Sequence, residues 1–198
     1  PGYEYGIFYY RYPEEENGTI FSITDKQFPK ITGNGKHTLR RLIMDDERAV
    51  CMAQHYFKSN GDRLFDVLAD GEEIQLIDIG THSRGSIFLD GQAIQTPALE
   101  KTFDKISKGF DGFYFGRFDI RTPDVEAFQE GKDFKIVELN GVTSEATHIY
   151  DPKNSLFDAY RVLKEQWRIA FEIGHQNRKK GIKPASLWNV ILRVLGLK

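Results

Sequence analysis

Two strand-like stretches decide the fold of this chain: Gly116-Arg117-Phe118-Asp119-Ile120-Arg121 and Lys135-Ile136-Val137-Glu138-Leu139-Asn140. In both, charged or polar residues alternate with apolar ones, which is the pattern of a β-strand with one polar face. The pattern predicts that the apolar residues of the second stretch, Val137 and Leu139, point into the core. We expect the two strands to pair as an antiparallel hairpin.

The polar faces of this hairpin carry an unusual set of side chains. Arginines flank Asp119 on the first strand, and Glu138 and Asn140 share one face of the second. Mg²⁺ prefers oxygen ligands at about 2.0–2.1 Å and often takes one or two carboxylates together with substrate phosphates. The set therefore suits a magnesium site, and the arginines suit a bound phosphate or carboxylate.

A second interpretation of the same pattern is a solvent-exposed strand pair held by cross-strand ion pairs. Asparagine between apolar neighbours is disfavoured in strands, and this favours the functional interpretation for Asn140. The pattern by itself leaves both interpretations open.

Composition excludes several classes of protein. The 198 residues include 27 basic and 29 acidic side chains, so the net charge of −2 offers no electrostatic footprint for nucleic acid. No apolar run reaches the roughly 20 residues of a transmembrane helix. The single cysteine, Cys51, cannot form an internal disulfide and is expected to pack in a helix, which indicates a reducing, cytoplasmic location.

The rest of the chain predicts an α+β fold, a largely antiparallel sheet flanked by helices and followed by a helical C-terminal tail. Strands are expected at 5–12, 19–28, 74–79 and 86–89, besides the pair at 113–121 and 134–140 with a polar connection between them. Helices are expected at 38–56, from Pro97 onward, at 155–177 and at 186–196. In the helix at 155–177 the apolar stripe comprises Leu156, Tyr160, Leu163, Trp167, Ala170 and Phe171.

An Arg-x-Asp strand followed by a Glu-x-Asn strand resembles the metal-binding signature at the end of ATP-grasp enzymes. Other segments agree in the same order. Pro1-Gly2-Tyr3-Glu4-Tyr5 is similar to the segment that follows their adenine-binding hinge. Gly33-Asn34-Gly35-Lys36-His37-Thr38-Leu39 resembles an insert of cyanophycin-synthetase-like members, and Thr81-His82-Ser83-Arg84-Gly85-Ser86 resembles a loop of those and of RimK-like ligases.

The resemblance implies an ATP- and Mg²⁺-dependent ligase, with Mn²⁺ as an alternative metal, that joins a carboxylate substrate to an amine acceptor through an acylphosphate. It implies an ATP-grasp domain at 1–150 and a helical extension at 151–198. A non-catalytic relative that binds only nucleotide or metal is the alternative.

The resemblance also assigns roles by position. Asp119, Glu138 and Asn140 would bind the metal, and Arg117 would stabilise the acylphosphate. Glu4 would contact the ATP ribose and Lys26 a phosphate. Arg84 and His82 would hold phosphate or the acyl substrate. Residues 143–148 depart from the Pro-Gly that is common after the metal-binding strand, and they are expected to shape the acceptor site.

Family members carry a lysine-bearing strand, a glycine-rich loop and the adenine hinge before the Pro-Gly segment. We therefore expect the chain to be a fragment that binds Mg²⁺-ATP poorly and is inactive alone. The helix at 186–196 is expected to pack back on the core, with binding to a partner or to a membrane surface as the alternatives.

Overall fold

The computed structural model describes residues 2–77 and 85–196, and in this part of the chain five strands form one antiparallel sheet. The strands are β1 (Tyr3–Tyr10), β2 (Thr19–Gln27), β5 (Ile87–Asp90), β6 (Phe115–Thr122) and β7 (Lys135–Asn140). Their order across the sheet is β5-β2-β1-β6-β7. A pair of shorter strands, β3 (Lys30–Thr32) and β4 (Glu73–Gln75), forms a second small sheet.

The helices lie between and after these strands. They are α1 (Leu39–Asp45), α2 (Ala53–Ser59), α3 (Pro97–Lys108), α4 (Val125–Gln129), α5 (Leu156–Lys179) and α6 (Leu187–Val194). Short 3₁₀ helices cover Ala49–Met52, Gly61–Arg63, Gln92–Ile94 and Thr147–Tyr150. The α+β class and the antiparallel sheet are confirmed, but the predicted polar connection between β6 and β7 contains α4.

One face of the sheet packs against α3 and α4. The apolar side chains of β1 and β6 that point to this face are buried, and Phe103 of α3 and Phe128 of α4 lie against them. The rings of Phe103 and Phe118 are 5.4 Å apart, and Tyr5 stacks on Phe128 at 5.5 Å. Thr96 caps the start of α3 by accepting a hydrogen bond from the Leu99 amide.

A separate core holds residues 28–77 together. The two strands β3 and β4 and the helices α1 and α2 bury an apolar cluster whose members include Ile31, Ile43, Tyr56 and Leu76. The chain passes very close to itself here, because a Cβ at Gly33 would lie 2.2 Å from the carbonyl oxygen of Ala69. In chain order this small lobe lies between β2 and β5, two strands that pair directly with each other in the main sheet. Cys51 is exposed, so the prediction that it packs in the helical region is wrong.

Helix α5 covers part of the other face of the main sheet. It begins at a capping box formed by Ser155 and Asp158, and it packs Ile169 and Ile173 against Phe8 of β1. Gln166 is also buried in this contact. The predicted helix is confirmed, but its apolar stripe through Leu156, Tyr160, Trp167 and Phe171 is largely exposed.

Gln166 explains why the other stripe of α5 is buried. Its side-chain oxygen accepts a hydrogen bond from the Ala146 amide at 2.9 Å, and its amide nitrogen donates to the Ser144 carbonyl at 3.0 Å. The helix therefore turns a glutamine toward the sheet to satisfy the backbone of the loop after β7. Hydrophobic periodicity alone does not reveal such a contact.

Two further predictions of burial are wrong. Val137 is 67% exposed and Leu139 is also exposed, because the buried clusters on the two faces of the described sheet include residues of β1, β2 and β6 but none of β7. Helix α6 buries none of its residues, so it does not pack back on the core. Among the described residues, no helix is long and apolar enough to span a membrane.

We expect Gln166→Ala to lower the free energy of unfolding by about 1–3 kcal/mol, because it leaves the buried Ala146 amide and the half-buried Ser144 carbonyl without this partner. Phe171→Ala, on the exposed stripe of the same helix, should change it by no more than about 0.5 kcal/mol. Urea unfolding followed by circular dichroism measures both. A larger loss for Phe171→Ala than for Gln166→Ala would contradict this account of the packing of α5.

Candidate functional site

Beyond the part covered by α5, the same face of the sheet carries a group of charged and polar side chains. The strand register brings them to one face, since directly paired residues in antiparallel strands point the same way. They are Glu4 of β1, Thr24 and Lys26 of β2, Arg117, Asp119 and Arg121 of β6, and Glu138 and Asn140 of β7.

Asp119 lies at the centre of this group and is buried between two cations. The Lys26 ammonium lies 2.9 Å from Oδ2 of Asp119. Arg117 donates from Nε to Oδ1 at 2.8 Å and from Nη2 to Oδ2 at 3.3 Å. Asn140 donates to Oδ2 at 3.4 Å. One carboxylate thus faces two cations, and these three charged groups together carry a net charge of about +1.

Gly6 leaves room for the contact between Lys26 and Asp119. These residues lie on β2 and β6, and β1 runs between the two strands. The register places Gly6 opposite both Thr24 and Asp119, so Lys26 reaches across β1 beside a residue with no side chain. A Cβ at Gly6 would already lie 3.2 Å from Cδ of Arg117. A larger side chain at this position would occupy the space between Lys26 of β2 and Asp119 of β6.

Glu4 is fixed in the neighbouring row of the same face. It is buried, it pairs in register with Lys26 and Arg121, and its Oε1 accepts hydrogen bonds from Nε of Arg121 at 3.0 Å and from Nη2 of the same arginine. Burying a carboxylate requires such compensation. Glu4 is therefore held rigidly beside the Lys26–Asp119 pair.

Glu138 lies directly across from Asp119 in the register of β6 and β7, and its side chain is exposed. A bulge follows at this point, because Ile120 pairs with Ile136 and leaves Val137 as an extra residue on β7. The predicted antiparallel pairing of the two strands is confirmed. Two carboxylates and one carboxamide therefore occupy adjacent positions of one face, as the alternation of the sequence predicted.

The loop after β7 closes one side of this group. Arg117 donates from Nη1 to the Glu145 carbonyl at 2.9 Å, and Thr147 donates to the Thr24 hydroxyl at 3.0 Å in a buried contact. Burial lowers the pKa of His148 in the same loop, although the charge of Asp90 acts in the opposite direction. Sequence reasoning singled out residues 143–148 as a polar segment, but it missed Thr24 and Gly6, which no spacing rule marks.

A cleft of about 450 Å³ opens beside Lys26, between the end of β2 and the small sheet. Its lining combines cations, amides and aromatic rings: Gly2, Tyr3, Tyr5, Asp25, Lys26, Gln27, Phe28, Lys30 and Gln75. Burial raises the pKa of Asp25, and a hydrogen bond from Gln27 acts in the opposite direction. Burial also raises the pKa of Tyr5 to about 12, helped by the charge of Asp25. A ligand in this cleft would contact both lysines and aromatic surface.

Two predicted site residues, His82 and Arg84, lie outside the described residues. Within residues 2–77 and 85–196, no three His, Cys, Asp or Glu side chains are grouped so that they could hold a metal ion. A metal bound beside Asp119 and Glu138 would therefore need the Asn140 amide together with water or a phosphate oxygen.

No protein-family model matches the chain, and no curated protein matches it. Its fold is similar to that in the crystal structure of a bifunctional glutathione synthetase from Pasteurella multocida, with a TM-score of 0.51 and 16% sequence identity. The match covers 85% of this chain and 25% of that one, so the chain spans about a quarter of the synthetase's length.

That synthetase belongs to the ATP-grasp enzymes, and the likeness shows that this chain has an ATP-grasp fold. At this level of identity the likeness concerns the fold. It does not distinguish the cyanophycin-synthetase-like and RimK-like groups from other ATP-grasp proteins.

The ion cluster around Asp119 leads to a prediction about stability. Asp119→Ala would leave Lys26 and Arg117 close together without the carboxylate that compensates them, and we expect a loss of about 3–5 kcal/mol in the free energy of unfolding. Urea denaturation measures this loss. Adding Lys26→Met to Asp119→Ala should restore part of it, because one buried charge is removed.

Glu73→Ala is the matched control for Asp119→Ala. It breaks the ion pair between Lys30 and Glu73, in which both side chains are more than half exposed, and it should cost no more than about 1 kcal/mol. Equal losses for the two variants would mean that the Asp119 cluster is not desolvated as described.

Proposed function

We propose that this chain forms part of an ATP-dependent ligase that joins a carboxylate to an amine. The observation that carries the proposal is the cluster of Lys26, Arg117, Asp119 and Asn140 on the open face of an ATP-grasp sheet. Fold alone does not determine function. The charged groups of this face, together with the fold, support the ligase.

In the proposed reaction, a carboxylate oxygen of the acyl substrate attacks the γ-phosphorus of ATP. The bond from that phosphorus to the bridging oxygen breaks, and ADP leaves with the electron pair. The nitrogen of the amine then attacks the acyl carbon, phosphate leaves, and the nitrogen loses a proton as the amide forms. Both steps build negative charge on oxygen atoms, which fixed cations stabilise.

The donor set of this face fits Mg²⁺ or Mn²⁺. In the described structure the Lys26 ammonium occupies the cation position beside Oδ2 of Asp119, and Glu138 lies opposite with its carboxylate exposed. Hard oxygen donors from two carboxylates and an amide are the ligands that these ions take. We therefore propose that Asp119, Glu138 and Asn140 hold the metal, which when bound would neutralise charge on the phosphate oxygens.

The other residues of the face then acquire roles by position. If a metal cation were to neutralise Asp119 in place of the Lys26 ammonium, the Lys26 side chain would become available to bind a phosphate oxygen. Arg117 would steady the acylphosphate, and its anchoring to the Glu145 carbonyl keeps its guanidinium in place. Glu4, held by Arg121, is suited to accept hydrogen bonds from the ribose hydroxyls. Arg84 and His82 remain proposed partners of the phosphate or of the acyl substrate.

We further propose that residues 1–150 form the ATP-grasp domain and residues 151–198 a helical extension. We also propose a cytoplasmic location, on the basis of the single cysteine, which is free.

Hydroxylamine provides a direct test of the acylphosphate. The protein expressed from its complete reading frame is incubated with Mg²⁺-ATP, hydroxylamine and a panel of carboxylates that includes amino acids, short peptides and dicarboxylates. An acylphosphate reacts with hydroxylamine to give a hydroxamate, so we expect hydroxamate and ADP in equal amounts with one carboxylate of the panel. Neither should form when ATP is omitted.

Glu138→Gln should lower hydroxamate formation by about 10²–10³-fold, because it removes a charged oxygen donor from the metal position. Glu130→Gln is the matched control, since it makes the same chemical change at an exposed glutamate that pairs with Lys132 away from this face. We expect it to retain full activity. Nucleotide binding without hydroxamate would favour the non-catalytic alternative, and equal activity of the two variants would refute the assigned metal position.

A further inference from the structure

The charges of this chain are distributed very unevenly. All 29 acidic residues precede residue 173, together with 21 of the 27 basic ones, so residues 1–172 have an excess of eight acidic side chains. Residues 173–198, which we call the basic tail, contain six lysines and arginines and no aspartate or glutamate. The small net charge of the chain is therefore the sum of an anionic part, residues 1–172, which we call the acidic body, and the basic tail.

The basic tail contains α6, whose apolar side chains face solvent. Trp188 is 66% exposed, and the other large apolar residues of the segment, Leu187, Val190, Ile191, Val194 and Leu195, are exposed as well. On a helix of 3.6 residues per turn, Asn189 and Arg193 fall on one side, and the apolar residues cover the remaining arc. The helix is strongly amphipathic and buries none of its residues.

The end of α5 and the connection to α6 also carry both basic and apolar side chains. Ile182 and Pro184 line a groove with Phe171 and His175 near the end of α5. Arg178 and Lys179 end that helix and are exposed. Cationic side chains therefore lie at the end of α5, one short connecting segment before the exposed apolar residues of α6.

The combination of positive charge and exposed apolar surface favours one class of partner over the others. A second copy of the chain that docks α6 against α6 would bring two basic tails together, which like-charge repulsion opposes. A nucleic acid would use the cations but not the apolar arc. A surface with anionic headgroups above an apolar interior matches both properties, and Trp and Leu beside Lys and Arg are typical of helices that lie in it.

Helix α6 is too short to cross a bilayer. Eight residues span about 12 Å as a helix, against an apolar thickness of about 30 Å. We propose that α6 and the basic tail bind in the plane of a bilayer that contains anionic phospholipids, with the apolar arc in the headgroup region. This inference does not depend on the proposed ligase activity.

Vesicle binding of the 198-residue chain tests the proposal. We expect the chain to sediment with vesicles of phosphatidylcholine mixed with phosphatidylglycerol and not with vesicles of phosphatidylcholine alone. Raising the salt concentration should weaken the binding, because it screens the charges. Equal binding to both kinds of vesicle would overturn the electrostatic part of the proposal.

Tryptophan fluorescence shows which segment enters the bilayer. The chain has two tryptophans, so Trp167→Phe leaves Trp188 as the one reporter. We expect its emission to shift to shorter wavelength with the anionic vesicles and to be quenched by brominated lipid chains. Sedimentation without this shift would mean that another surface binds the vesicles, and it would overturn the role of α6.

Two triple variants distinguish the effect of the cations in the basic tail from the effect of the overall net charge. Changing Arg178, Lys179 and Lys183 to Gln should weaken binding about fivefold for each cation removed. The matched control changes Lys58, Lys101 and Lys105 to Gln, which alters the net charge equally at exposed positions outside the tail. Equal weakening by the two triple variants would overturn the proposal.

Trp188→Glu, which should keep the fold because α6 buries no residue, is expected to abolish binding. Sedimentation equilibrium of the unchanged chain without vesicles tests whether a second copy of the chain binds to α6 instead. Self-association that Trp188→Glu abolishes, without vesicle binding, would assign the surface to a second copy and overturn the proposal. A monomer that binds neither kind of vesicle would also overturn it.

Discussion

The contact of Asp119 with two cations is the constraint on which the polar face of this protein depends. The buried carboxylate between Lys26 and Arg117 needs cations to compensate its charge, because each ion has lost much of its hydration. This contact crosses β1 beside Gly6, where a Cβ would lie 3.2 Å from Cδ of Arg117. The positive charge left over by the three groups favours an anion at the same place, and the exposed Glu138 supplies one from the neighbouring strand.

The fold and the polar face share several of their interactions. Arg117 compensates Asp119 and also holds the loop after β7 through the Glu145 carbonyl, while Gln166 of α5 holds the same loop from the other side. Helix α5 covers the apolar end of the sheet face around Phe8 and leaves the charged end open. One face of the sheet is thus covered by α3 and α4, and the other is covered by α5 only in part, which leaves the charged side chains accessible at one place.

The alternation of residues in β6 and β7 was enough to predict the essential pairing of the site. Side chains two apart on a strand share a face, so placing Asp119 beside Glu138 and Asn140 required only that the two strands be neighbours. Helices α3 and α5 were equally predictable from their apolar spacing and their caps. The Glu4–Arg121 and Lys26–Asp119 ion pairs were not, because each joins residues that are about 90 or more positions apart in the chain.

The sequence by itself determined the class of the fold, the strands that carry the charged residues and the separation of the acidic body from the basic tail. These are properties of local pattern and composition, and they survive in any packing. Only the tertiary structure decided which stripe of α5 is buried, that α6 and the apolar residues of β7 face solvent, and that Lys26 reaches across β1. Each of these depends on which surfaces meet, and a buried polar contact such as that of Gln166 can outweigh a row of apolar side chains.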